Sequence, residues 1–227
     1  MLTKINYRNR NKIKHDRSCF TQGLYLDKDI LYESCGAPRN TTSLLKKIDY
    51  KTNKVIISRR FPYFLEGLTV IGDIIYLLTW KQELLYMVDK NTFEIINICS
   101  YEGEGWGLTH DDSNLIMSNG SNILKYYEIP TINTKYLSLQ KKIITPVSNL
   151  NELEYIDNYI YANIYFKDII VKIDPNTGKN IKNINLKFLR NNENEKSETL
   201  NGIAYDNNKK QFLITGKYWN YIHLIII

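Results

Sequence analysis

An all-β fold, a five-bladed β-propeller whose ring is closed by the N-terminal strand, is what this sequence predicts, on three observations. A strand–turn–strand unit recurs five times along the chain. In four cases a third strand follows, ending in an acidic residue and then a turn that carries threonine. The repeat length, about 40 to 50 residues with four strands, is the size of one propeller blade.

The five units are FTQGLYLDKDILYES (20–34), FLEGLTVIGDIIYLLTW (64–80), GWGLTHDDSNLIMSN (105–119), LNELEYIDNYIYANIY (150–165) and LNGIAYDNNKKQFLITGK (200–217). Each joins two runs rich in β-branched and aromatic residues through a polar turn, the pattern of a β-hairpin. The third strands are KKIDYKT, YMVDKNT, YYEIPT and VKIDPNT, with Asp49, Asp89, Glu128 and Asp174 three residues before Thr52, Thr92, Thr131 and Thr177. An acid and a threonine at that spacing both bond nearby amides and make a tight turn. Fourth strands follow, as in NKVIISRR and FEIINICS.

The last unit has only YIHLIII (221–227) as a third strand, so INYRNRNKIK (5–14) is expected to supply its outer strand. Residues 1–227 are then expected to form one domain. The tract LRNNENEKSETL (189–200) lacks an apolar pattern and reads as a mobile surface loop.

Composition narrows the partners. Apolar residues at 43% are enough for a sizeable core. The net charge of +6 is dispersed. Its densest stretch, Arg8, Arg10, Lys12 and Lys14, alternates at strand period and reads as one solvated edge strand rather than a nucleic-acid interface. No run reaches the roughly 18 apolar residues of a membrane helix, and MLTKINYRNRNKIK lacks the pattern of a secretory signal. Cys19, Cys35 and Cys99 contain no CxxC pair, so neither a zinc site nor a disulfide framework is indicated. The histidines, His15, His110 and His223, are as scattered, and no metal or cofactor is expected. Asn40-Thr41-Thr42 and Asn119-Gly120-Ser121 fit the glycosylation tripeptide, a pattern common by chance.

In a propeller the innermost strands gather at one mouth of the central channel. Aligning the units on Gly23, Gly67, Gly107, Leu153 and Gly202 places Gln22, Glu66, Trp106, Glu152 and Asn201 in one slot. Second-strand exits give Cys35, Trp80, Asn119, Tyr165 and Lys217. A slot that only packs would repeat one apolar residue. This one is diversified, as a ligand pocket on a repeat scaffold would be.

At these residues the chain resembles the glutamine cyclotransferases, the plant and bacterial type of glutaminyl cyclase. The matching motifs are HDRSCFTQGL (15–24), LYES (31–34), FLEGLT (64–69), LTW (78–80), GEGWGLT (103–109), LNELEYI (150–156), YANIY (161–165), IDPNTGK (173–179), LNGIAYD (200–206) and TGK (215–217). They occur in family order through all five units. The resemblance implies conversion of N-terminal glutamine of peptides or proteins to pyroglutamate with release of ammonia, without a catalytic metal. It implies that Glu66 transfers the proton and that Phe20, Gln22, Phe64, Trp80, Trp106, Asn151 and Lys217 form the pocket. Tyr165 stands where the family usually has tryptophan, and Cys35 where it usually has threonine. By analogy with exported peptides it also implies a secretory location, should a leader precede this chain; a monomer is expected.

The resemblance ranks Asn151 above Glu152 for substrate contact, leaving Glu152 or Glu154 structural. The Trp106 N–H is expected to steady the substrate's amide oxygen. Lys217 is open between binding an incoming carbonyl and neutralising a channel carboxylate. Two rival readings remain: a non-catalytic propeller that binds peptides, and a metal-dependent lactonase-like propeller with several channel carboxylates or asparagines.

Overall fold

Five four-stranded antiparallel sheets make up the computed structural model, which describes residues 11–38 and 42–227. Blade 1 holds β2 (Phe20–Asp27), β3 (Ile30–Gly36), β4 (Ser43–Asp49) and β5 (Lys54–Phe61). Blade 2 holds β6 (Leu65–Ile71), β7 (Ile74–Thr79), β8 (Leu84–Asp89) and β9 (Ile95–Ser100). Blade 3 holds β10 (Leu108–His110), β11 (Asn114–Met117), β12 (Ile123–Glu128) and β13 (Leu139–Ile144). Blade 4 holds β14 (Leu150–Ile156), β15 (Tyr159–Ile164), β16 (Ile169–Ile173) and β17 (Asn180–Asn185). Blade 5 runs β18 (Leu200–Asp206), β19 (Gln211–Gly216) and β20 (Tyr221–Ile225), and β1 (Lys12–Lys14) is its outer strand. The expected ring closure is present, with Ile13 opposite Ile222. Lys12 and Lys14 lie on this edge strand, while Arg8 and Arg10 lie outside the described residues. No helix among the described residues is long and apolar enough to cross a membrane.

The core is not one mass but five slabs, each formed by residues of two neighbouring blades. Tyr32 and Leu45 of blade 1 meet Leu68, Leu77 and Tyr86 of blade 2, and blades 4 and 5 close around Tyr161, Leu200 and Trp219. A middle strand is therefore covered on both faces, which is why β7 and β15 are near-continuous apolar runs. Outer strands face water, β5 in part alternating and β13 exposed almost throughout. The acid–threonine turns form as read at Asp49–Thr52, Asp89–Thr92 and Asp174–Thr177, each carboxylate accepting the threonine amide. Glu128 does not; there Thr134 caps the Thr131 amide instead.

Two expectations are corrected. Cys19 and Cys35, read as unpaired, form a disulfide with Cα atoms 5.1 Å apart. Hairpin pairing sets Thr21 opposite Cys35, which brings the residue just before β2 beside the end of β3. A cross-hairpin bond of this kind leaves no short-range spacing signal. Removing it in Cys19→Ser/Cys35→Ser should cost about 3 kcal/mol, the chain-entropy value for a loop of this size. A thermal melt of the double variant, beside wild type with and without reductant, measures this; coincident melts would show that the bond stabilises nothing.

The tract 189–200 is not a free loop. Lys187–Asn192 forms a 3₁₀ turn with Leu189 buried. Beyond it, Glu193 turns inward, where its carboxylate meets His223 Nε2 at 2.8 Å and accepts the Asn220 amide. A polar tract can be held in place by a few buried hydrogen bonds, which apolar patterning does not register.

Candidate active site

The inner strands nearly touch at the ring axis. A Cβ at Gly107 would collide with the Asn151 carbonyl, and one at Gly67 would stand 2.5 Å from the Leu108 amide. Blade 4 places a glutamate there instead. Ladder registers pair Leu68 with Leu77 and Leu153 with Ala162, and in each hairpin three further pairs lead from there to a two-residue turn. Asn151 is thus the counterpart of Glu66, and Glu152 the counterpart of Gly67. Aligning Leu153 with Gly67 by sequence was one residue out. In a strand that slip moves a side chain to the opposite face.

The consequence is a division of labour between neighbours. Asn151 lines the mouth. Glu152 points across the axis, accepting the Leu24 amide at 3.3 Å and the Ile203 amide at 2.8 Å. Burial pushes its proton affinity well above the usual carboxyl range, the nearby Glu154 adds to this, and the two amides oppose it. It ties blade 4 to blades 1 and 5, a structural role. The same register corrects two exit residues. Gly36 and Gly120, not Cys35 and Asn119, occupy the position of Trp80, Tyr165 and Lys217. Cys35 points away into its disulfide. Asn119 accepts the Ser121 hydroxyl in the turn; Asn40 and Thr41, of the other glycosylation tripeptide, lie outside the described residues. Both glycines make room for rings: Phe64 packs on Gly36, and Trp106 lies 2.7 Å from where a Gly120 Cβ would stand. Gly120 also adopts φ 78°, a conformation suited to glycine.

At this mouth lies a cavity of about 350 Å³ lined by Phe20, Gln22, Phe64, Glu66, Trp80, Trp106, Asn151, Tyr165 and Lys217, together with Ala37 and Pro38. All nine residues singled out in the sequence are brought together there. Ala37 and Pro38 were missed, since they follow β3 in a stretch with no repeat counterpart. The polar residues Gln22, Glu66, Asn151 and Lys217 are buried, and the aromatic ones are half-buried. The result is a polar floor under aromatic walls. Phe64 contacts Phe20 and Trp80, at ring separations of 6.1 and 5.5 Å, and Trp106 meets Tyr165 edge-on at 5.4 Å.

Glu66 is the one carboxylate among the described lining residues. Its Oε1 accepts Gln22 Nε2 at 3.3 Å, and Gln22 Oε1 in turn accepts Asn201 Nδ2 at 3.2 Å. Burial holds its proton affinity well above the ordinary carboxyl range; Lys217 pulls it down and Glu104 pushes it up. Lys217 is the one cation among the described lining residues. Burial lowers it to about 8, against the pull of Glu66 and Glu198. Its Nζ sits 4.4 Å from the Phe20 ring and 5.0 Å from the Tyr165 ring, so π faces take over part of its lost hydration. Asn151 Oδ1 is buried and meets no donor among the described residues, leaving a free acceptor at the cavity.

The Trp106 N–H is not free to hold an oxygen, as the sequence had suggested. It donates to Glu104 Oε2 at 3.0 Å, and the Trp80 N–H donates to the same oxygen at 2.9 Å. Glu104 was passed over within the GEGWGLT motif, and its position two residues before a pocket tryptophan was the available signal. The histidines serve elsewhere. His15, Cys19 and Glu33 bring potential ligand atoms within 4.8 Å of one another, but the Cys19 sulfur is committed to Cys35.

Fold and site together define a five-bladed propeller with a pocket at one mouth of the ring, where the described lining holds one buried acid, Glu66, and one buried cation, Lys217, beneath aromatic walls. The chain belongs to the glutamine cyclotransferase family, whose pattern matches residues 2–227. It is 32% identical over 219 residues to the glutaminyl-peptide cyclotransferase of Arabidopsis thaliana, a match covering 93% of this chain and 68% of that protein. The crystal structure of Myxococcus xanthus glutaminyl cyclase superposes with a TM-score of 0.86 at 27% identity, over 97% of this chain and 95% of that one. The propeller domain of Cps50 (Swd1) from Myceliophteria thermophila shares the fold alone, at TM-score 0.54 and 13% identity over 91% and 82% of the two chains.

Proposed function

We propose that this protein is a glutaminyl-peptide cyclotransferase acting on peptides and proteins that begin with glutamine, with residues 1–227 working as one catalytic domain. The observation that carries this reading is Glu66, a buried acid of raised proton affinity, in an apolar-walled cavity of about 350 Å³ in a chain of this family. The substrate's α-amine attacks its own side-chain amide carbon. A C–N bond forms, the lactam closes, and the former amide nitrogen leaves as ammonia. Attacker and target are already tethered, so holding them in reacting geometry supplies much of the acceleration.

One net proton must pass from the attacking amine to the departing nitrogen. Glu66 takes it as a carboxylate and returns it as an acid. A raised proton affinity suits a group that works in both states near neutrality. Gln22 holds that carboxyl in place. The free Asn151 Oδ1 accepts a hydrogen from the α-amine. With the Trp106 N–H bound to Glu104, the developing oxyanion falls to Lys217, whose charge strengthens in effect as water leaves the cavity. Phe20, Phe64, Trp80, Trp106 and Tyr165 exclude that water. No step in this scheme requires a metal, and the protein works as a monomer. The Cys19–Cys35 disulfide supports an oxidising, secretory-type compartment.

Ammonia release and a 17 Da mass loss from a short glutamine-initiated peptide test the reading, with and without chelator. Chelator-resistant release supports it. Chelator-sensitive release would move the mechanism to a metal, and peptide binding without release would make the protein a binding module.

A further inference from the structure

A single carboxylate oxygen, Glu104 Oε2, accepts the N–H of Trp80 at 2.9 Å and of Trp106 at 3.0 Å. The two indoles come from different blades. Trp80 follows β7 in blade 2, and Trp106 precedes β10 in blade 3. Each ring on its own has alternative rotamers, and each has just one N–H with which to choose among them. Binding both to one point removes that choice and orients the two rings with respect to each other.

The clamp is itself braced. Lys81 Nζ lies 4.1 Å over the Trp80 ring and 4.0 Å from Glu104 Oε1. The loop that carries Glu104 is fixed by Gly103 N–H donating to Glu83, by Lys125 donating to the Glu102 carbonyl, and by Gly105 N–H donating to the Trp80 carbonyl. Glu104 itself is not among the described residues that line the cavity.

We propose that Glu104 is a positioning residue of the cyclisation reaction, fixing Trp80 and Trp106 as the rigid walls against which the substrate's glutamine side chain folds onto its own amine. The proposal rests on the cyclotransferase reading above. Glu104 acts on Glu66 as well. Its negative charge disfavours ionisation of the buried acid, so removing that charge moves the Glu66-dependent limb of the pH profile to lower pH.

Glu104→Gln and Glu104→Ala separate the two effects. The amide oxygen of the glutamine side chain still accepts both N–H groups but carries no charge; alanine offers neither acceptor nor charge. Three measurements apply: kcat and KM for a glutamine-initiated peptide across pH, the tryptophan emission of the free protein, and thermal melting. In Glu104→Ala, kcat/KM falls roughly 10- to 100-fold, as for a misplacement of about 1 Å near a reacting centre, and emission shifts to the red as the indoles loosen. Glu104→Gln recovers at least about tenfold of that loss and the wild-type emission, while its acid limb lies at lower pH.

A Glu104→Ala protein with wild-type kcat/KM and emission would overturn the proposal. So would a Glu104→Gln protein as impaired as the alanine variant with its limb unmoved, because a merely structural glutamate predicts that outcome. Should wild type itself release no ammonia, the cyclotransferase reading fails, while emission still reports whether Glu104 clamps the indoles.

Discussion

Glu66→Gln is expected to lower kcat for glutamine cyclisation by roughly 10²- to 10⁴-fold, the usual contribution of a positioned acid–base group. The replacement has nearly the same shape, and its amide oxygen still accepts the Gln22 hydrogen bond seen at 3.3 Å. It cannot take up a proton and return it. The same variant should be more stable than wild type at neutral pH, because function here is held at a cost in stability. The sign follows from linkage. Glu66 keeps its proton in the folded protein at pH values where the unfolded chain, near pKa 4.3, has lost it. Native stability therefore declines as pH rises above that value, and the variant lacks the decline. Ammonia release at saturating peptide and melting temperatures from pH 5 to 8 measure both effects. A folded variant within threefold of wild-type kcat would remove Glu66 from the chemistry.

His15→Ala is expected to cost about 3 kcal/mol, the low end of the range for breaking a buried ion pair, because Lys46 and the Thr21 hydroxyl still face Glu33. Its Nδ1 lies 2.8 Å from the Trp219 carbonyl and its Nε2 lies 2.6 Å from Glu33 Oε1. Both partners accept, so both nitrogens carry hydrogens and the ring is an imidazolium. It bonds blade 1 to blade 5 where the ring closes, beside the His15 amide bond to the Asn220 carbonyl. The other groups facing it are the Thr21 and Thr215 hydroxyls, and Lys46, which approaches Glu33 at 3.6 Å and pairs with Asp16 at 2.8 Å.

Burial pushes His15 down, but the Glu33 carboxylate outweighs it and the net shift is upward from 6.5. Glu33, despite burial, is drawn down to about 2 by His15 and Lys46. The His15 contribution is complete below about pH 6.5 and fades as pH rises through the raised folded value. The Glu33 contribution is complete above about pH 4.5 and fades as pH falls towards 2. Stability from this pair is thus greatest between those limits. Urea unfolding of wild type and His15→Ala from pH 3 to 9 checks it; parallel curves would remove the imidazolium from ring closure.

Much of this protein was legible in one dimension, for a physical reason. Propeller blades repeat, and middle strands covered on both faces must be continuous apolar runs, so LTVIGDIIYLLT and its counterparts announce hairpin, period and blade number. Glu66 stood out because an acid at the start of such a run has no packing purpose. The outer strand of blade 5 was legible too, since YIHLIII ends that blade one strand short of its neighbours.

What tertiary structure decided was a matter of single residues and distant partners. Asn151 rather than Glu152 faces the cavity because a one-residue slip in a strand exchanges its two faces, and only ladder registers reveal the slip. Cys19 reaches Cys35 because a hairpin folds them together. Glu193 is held inside by a histidine 30 residues away in the chain. Glu104 meets both indoles because two blades converge at one mouth. Repetition and apolar periodicity are properties of neighbours along the chain; directed hydrogen bonds between blades are not, and they set the chemistry of the pocket.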